Sequence, residues 1–185
     1  REALELQLHE AQRDAVAAHG DVCNASPAYR LAVAADRKPV ALGELERWAT
    51  AHEALVLEYF VGQEDGYMLV VPAGQPARVD RLRVTDSLAP TLGMKPGNLT
   101  ATQLDHVLVG QSEDGLIRQL ARVTAPEQQR KMTAVLAALT EMLIPPAERT
   151  GLADGKYKRL VVVPDVSLAQ LPFETLVMEP GDSPR

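Results

Sequence analysis

An α/β domain is the fold class this sequence predicts, and three stretches predict it. Leu55-Val56-Leu57-Glu58-Tyr59-Phe60-Val61 and Tyr67-Met68-Leu69-Val70-Val71 are short runs of branched and aromatic residues on either side of a polar turn, the pattern of a β-hairpin. Met132, Val135, Leu136, Leu139, Met142 and Leu143 recur at steps of three and four, which is one face of a long helix. Leu160-Val161-Val162-Val163 is apolar at every residue before Pro164, as expected of a central strand buried on both faces and commonly parallel to its neighbour.

Taken in order, residues 1–20 set Leu4, Leu8, Ala11, Ala15 and Ala18 on a narrow helical stripe that Gly20 and Asp21 end. A stripe so narrow packs on one neighbour, as the last helix of a preceding helical array does. Residues 22–40 are irregular, punctuated by Pro27 and Pro39. Leu42, Leu45, Trp48 and Ala49 predict a short helix with Trp48 turned inward. In the hairpin, Asp65-Gly66 is the turn dipeptide. A third strand, Arg78–Val84, alternates polar with apolar and predicts a half-exposed edge. Residues 85–98 read as loop. Thr100 with Gln103 and Thr124 with Glu127 are capping-box pairs ahead of apolar periodic runs, and Leu116–Val123 has helical character between them. Pro145-Pro146 stops the long helix, and Gly151–Gly155 is a loop before the apolar strand.

Asp165 stands directly after that strand, at the sheet edge where α/β proteins gather ligand and catalytic groups. Leu168, Leu171, Phe173 and Leu176 then predict a loop turning into a short helix whose apolar side lies under the sheet. The same position permits a pocket wall, which makes Asp165, Gln170 and Phe173 the candidates for lining a substrate site. Residues 179–185 read as a linker, and the sequence is expected to be part of a larger protein.

Composition narrows the function classes. With 46% apolar and 24% charged residues the chain can build a core, and with only 4% aromatics that core rests on Leu, Val, Ala and Met. A net charge of −6 argues against general binding to nucleic acid or an anionic membrane, which need a basic surface. No apolar run approaches the roughly 18–20 residues of a bilayer span. The single cysteine excludes an intrachain disulfide framework and fits a reducing compartment, the cytoplasm. Cys23 follows His19 by four residues, one helical turn, yet Gly20 and Asp21 break the helix between them, so a catalytic pair is disfavoured. His9, His52 and His106 lack ligand spacing, and no metal or other cofactor is expected. Phosphate-cradling and dinucleotide glycine motifs are absent, and neither Ser87 nor Ser167 sits in the small-residue elbow of a hydrolase serine. Glu64-Asp65 at the hairpin tip and Glu58 within a strand read as solvated carboxylates.

In order along the chain, Leu55–Phe60, the Gly turn and Tyr67–Val71 resemble the opening of the CHAT domain, a family of caspase-like and separase-like cysteine peptidases. Leu139–Pro145 looks like that family's helix-to-Pro step. Leu160–Asp165 with Leu168 and Leu171-Pro172-Phe173-Glu174-Thr175-Leu176 resembles its most recognisable block. The likeness covers residues 40–178 and departs at Val166, where the family carries Gly after Pro-Asp. It implies a caspase-like fold of which this chain is the N-terminal part. The family's His, as base, and Cys, as nucleophile, lie at the ends of two strands downstream of the Pro-Phe block, and no histidine here, nor Cys23, matches them. Implied partners are a polypeptide substrate and a tetratricopeptide-type helical repeat module or activating protein. Relatives such as separase cut after Arg, which makes processing at Arg185 a further expectation. Against this stand a catalytically dead scaffold of the same fold and an unrelated α/β ligand-binding domain.

Overall fold

The computed structural model describes residues 39–110, 115–120 and 125–176. The expected 1–20 helix, Cys23 with His19, and the 179–185 linker lie outside them. Contacts divide the chain into Arg1–Val40 and Ala41–Arg185, and the architecture is that of the second unit. Its elements are α1 (Leu42–Ala51), β1 (Ala54–Val61), β2 (Gly66–Pro72), β3 (Arg78–Val84), α2 (Ala89–Leu92), β4 (Gly97–Asn98), α3 (Ala101–Leu108), α4 (Leu116–Leu120), α5 (Pro126–Leu143), α6 (Pro146–Ala153) and β5 (Arg159–Val163). Two 3-10 turns, Val166–Gln170 and Phe173–Thr175, follow. The mixed α/β class is the one the sequence predicts.

The strands form one sheet in the order β4-β3-β2-β1-β5. β1, β2 and β3 are an antiparallel meander, β4 adds two residues to β3, and β5 runs parallel to β1 with Val56 opposite Val161. Side chains alternate across each strand. Leu55, Leu57, Tyr59 and Val61 of β1 therefore enter the main core with Met68, Val70 and Leu82, against Leu104, Leu108, Leu139 and Leu143 of the helices. Each such Leu, fully removed from water, contributes about 1.5–3 kcal/mol. On the other face Val56 and Val71 meet Ala49 of α1, with Leu45 and Val161 packed beside them. Cover on both faces explains why β1 opens as an unbroken apolar run.

Several local expectations change in the folded chain. β5 is a strand and is parallel, but it closes the sheet order rather than standing centrally buried; Leu160 is 39% and Val163 43% exposed. Its apolar run lacks a partner strand on its second edge and full cover on either face among the described residues. Trp48 is exposed, not inward, because Leu45 and Ala49 take the sheet side of α1; its ring stacks on His52 at 4.6 Å. Asp65-Gly66 is not the turn dipeptide: the connection is 62–65, closed by the Gly62 N–H on the Asp65 carbonyl at 2.9 Å. Gly66 is needed inside β2, where a Cβ would stand 3.0 Å from the Leu99 carbonyl oxygen. Thr100 and Gln103 form the expected capping box, whereas the N-cap of α5 is Ala125, which makes no side-chain cap. Within residues 85–98, α2 and β4 appear.

Pro145-Pro146 ends α5 and also starts α6, which sequence periodicity does not show. Proline suits the first helical position because the N–H it lacks has no partner there. α6 is held by charge rather than by an apolar stripe. Its Glu148 is buried, and both carboxylate oxygens accept from the Arg78 guanidinium of β3 at 3.0 and 2.7 Å. Asp80 adds a 3.0 Å bond to Arg78 Nε, and the Arg78 guanidinium is held charged above its ordinary range, chiefly by its hydrogen bond to Glu148. Arg78→Met leaves a buried carboxylate without its donors and is expected to lower stability by about 2–3 kcal/mol, less than for a fully buried pair because Arg78 is partly in water. Urea unfolding measures it, and adding Glu148→Met is expected to recover part of the loss.

Candidate functional site

The parallel strands β1 and β5 end side by side, and all three predicted site residues lie in the segment that leaves this edge. The strands start together as well. Glu53, at the left-handed φ of 49°, turns the chain from α1 into β1; its carbonyl accepts from the Lys158 N–H at 2.8 Å and its carboxylate pairs with the Lys158 ammonium. With Glu58 opposite Val163 the ladder reaches Pro164, which has no N–H to donate. Beyond it the Asp165 carboxylate takes over, Oδ2 accepting from the Val61 N–H at 2.8 Å. Asp165 thus finishes the edge of β1 where a backbone acceptor would otherwise be wanted.

The chain then coils tightly. The Leu168 N–H bonds the Asp165 carbonyl at 3.0 Å, and the Leu171 N–H bonds the Leu168 carbonyl at 3.1 Å. Leu168 and Leu171 are buried in the main core, as the spacing predicts, though Leu168 lies in the first of two 3-10 turns and Leu171 between them, rather than both in one helix. Phe173 is half-buried with its ring centroid 5.9 Å from that of Tyr59. Tyr59 is buried under β1, and its hydroxyl donates to the Leu143 carbonyl at the end of α5 at 2.9 Å. Burial pushes the Tyr59 phenol well above the ordinary tyrosine range. Gln170 is exposed. Ser167 is buried, and its hydroxyl has no hydrogen-bond partner within the described structure.

Asp165 and Phe173 therefore both face β1, at Val61 and at Tyr59, and are partly buried there, while Gln170 is the most exposed of the three. The turn is built first as a brace. Its exposed side, with Gln170, is where a pocket wall could be completed by further chain. Elsewhere a shallow cleft of about 560 Å³ separates α1 from the β2–β3 turn. Its polar groups already serve the fold, since Thr50 Oγ1 accepts from the Gly74 N–H at 3.1 Å and Glu46 Oε1 from the Ala77 N–H at 2.7 Å. Among the described residues no three His, Cys, Asp or Glu side chains come together as a metal site, and no helix is long and apolar enough to cross a membrane. His52 bonds the Trp48 carbonyl at 2.8 Å, one turn back on its own helix.

Compared with protein-family models, curated proteins and solved structures, the chain matches none.

Sequence reasoning passed over Tyr59, Arg78 and Glu148. Their partners stand 84 and 70 residues away, and a polar side chain in a strand or first helical turn gives no local sign of a distant acceptor.

The Phe173 contact predicts that Phe173→Ala lowers thermal stability, by about 2 kcal/mol for a half-buried ring. A melting curve unchanged from the parent would return Phe173 to the candidate substrate contacts. The Tyr59 phenol carries a pH signature. Its raised folded-state pKa means the stabilisation is full below the unfolded tyrosine value of about 10 and is lost as pH climbs toward the folded value. Alkaline difference absorbance is expected to show one tyrosine ionising only as the circular dichroism collapses, and Tyr59→Phe should abolish that step.

Proposed function

We propose that this chain is the N-terminal, non-catalytic portion of a CHAT-type cysteine endopeptidase, whose His and Cys lie on strands downstream of Leu176. The observation that favours the reading is the state of β5. It is a parallel strand with an apolar run, half-exposed on both faces, and it ends the sheet order. Apolar parallel strands are normally flanked by strands and covered by helices. A further strand on that edge would end beside Asp165 and the turn bearing Gln170. There a thiolate and an imidazole would meet a peptide bond, the imidazole taking the thiol proton and returning it to the leaving amine. In this reading Asp165 and Phe173 hold the floor of the site, and Gln170 borders the polypeptide substrate. The enzyme would work in the cytoplasm of a bacterium, attached to a helical repeat module or activated by a partner protein.

A second reading keeps the fold and loses the chemistry: a scaffold whose nucleophile has been replaced. The chain extended past Arg185 by about 150 residues, a domain's remainder, separates them. Treatment with a thiol-directed peptide probe is expected to label one cysteine, and changing the partner histidine to Ala should abolish the labelling. An extended chain in which no strand ends in His or Cys, or which stays unlabelled, overturns the peptidase reading and leaves the scaffold. Intact mass of the labelled enzyme also shows whether the chain is cut after Arg185.

A further inference from the structure

The chain between α5 and β5 is pinned at both ends and held more loosely between them. At one end the Leu143 carbonyl accepts from the buried Tyr59 hydroxyl, and at the other the Lys158 N–H donates to the Glu53 carbonyl at 2.8 Å. Between these anchors lies α6, a helix of 8 residues. Helices so short are marginal unless their side chains pack. Of the apolar side chains of α6 only Leu152 packs on the main core, and it is partly buried; Pro146, Ala147 and Ala153 are exposed. Segments with few buried apolar contacts are the ones that open before the rest of a fold does.

Polar groups dock α6. The buried Glu148 carboxylate accepts from Arg78 through both oxygens, and Gly151 lies against the Tyr157 ring. One group on the same helix works in the opposite direction. Arg149 Nε is withdrawn from water and has no hydrogen-bond partner within the described structure. A donor in that state disfavours the docked helix and regains water when the helix leaves. The ends of α6 are joints as well. Pro145, at ψ 152°, separates it from α5, and Gly155, at the left-handed φ of 69°, separates it from the approach to β5. Neither conformation continues a helix, so α6 can leave without unwinding α5 or unpairing β5.

We propose that α6 opens as a unit about Pro145 and Gly155 while the sheet and α5 stay folded, and that the Arg78–Glu148 pair is the latch that holds it. The open form hydrates Arg149 Nε, uncovers the side of Tyr157 that Gly151 lies against, and leaves Arg78 with its bond to Asp80 on β3. This inference stands apart from the peptidase reading, since it uses only β3, α6 and the turn before β5.

Native-state hydrogen exchange of the 185-residue chain, followed at denaturant concentrations below unfolding, tests it. The α6 amides are expected to exchange together, roughly tenfold or more faster than those of β1, and with little dependence on denaturant, because a small opening exposes little surface. Glu148→Gln weakens the latch and should speed the α6 amides by roughly tenfold or more. Arg149→Met removes the orphaned donor while keeping an apolar stem, and should slow them severalfold. If the α6 amides exchange only together with those of β1, on the same steep denaturant slope, the proposal is overturned and α6 belongs to the global folding unit. Fast α6 amides that Glu148→Gln leaves unchanged overturn it too, since the helix then frays without breaking the pair.

Discussion

The buried hydroxyl of Tyr59 donates to the Leu143 carbonyl at 2.9 Å, and three parts of the fold meet at that bond. Tyr59 belongs to β1, the strand paired antiparallel to β2 and parallel to β5. Leu143 is the last residue of the long helix, just before the Pro145-Pro146 junction from which α6 departs. The Phe173 ring leans on the same tyrosine, so the segment after β5 takes its position from β1 as well. A carbonyl at a helix end has no partner within its helix, and a buried phenol without an acceptor costs about 1–3 kcal/mol. Each group satisfies the other, which sets the axial position of α5 against the sheet.

From that anchor the molecule is tied at its two flanks by charge. Arg78 and Glu148 link β3 to α6 at one side, and Glu53 and Lys158 hold the starts of β1 and β5 at the other. Glu148 is buried in the first link, whereas Glu53 and Lys158 are exposed and add to a β1–β5 ladder that already begins at the buried Ala54 and Leu55. α6 buries Glu148 and Gly151, and Gly151 lies so close to Tyr157 that a Cβ would come within 2.6 Å of the ring. The geometry of α6 is thus set by a forked ion pair and a close approach, both of which depend on position more than on hydrophobicity.

The functional reading turns on the contrast between the two ends of the sheet. β3 has charged residues along its length and a two-residue strand at its side, which is how an edge is protected. Among the described residues β5 has no strand at its side and only Arg159 as a charge, and its Leu160 and Val163 are partly exposed. Asp165 completes β1 at Val61, so the strand ends are orderly even though no described strand lies on the far side of β5. An orderly C-terminal edge beside an unprotected apolar strand is a platform that further strands can extend.

The amino-acid sequence by itself determined the three antiparallel strands, the Thr100 capping box, the span of α5 and the burial of Leu168 and Leu171, because each rests on spacing along a few consecutive residues. Apolar content also marked β5 as a strand, but not its place in the sheet, since four apolar residues in a row state what the strand could bury and not what is there to cover it. Only the tertiary structure decided that Trp48 faces water, that Gly66 serves a close approach rather than a turn, that Pro146 opens a helix, and that Asp165 and Phe173 brace β1. Those outcomes depend on neighbours dozens of residues away, and the energy of a hydrogen bond or a ring contact is set by which groups the fold brings within about 3–6 Å, a distance that no local pattern encodes.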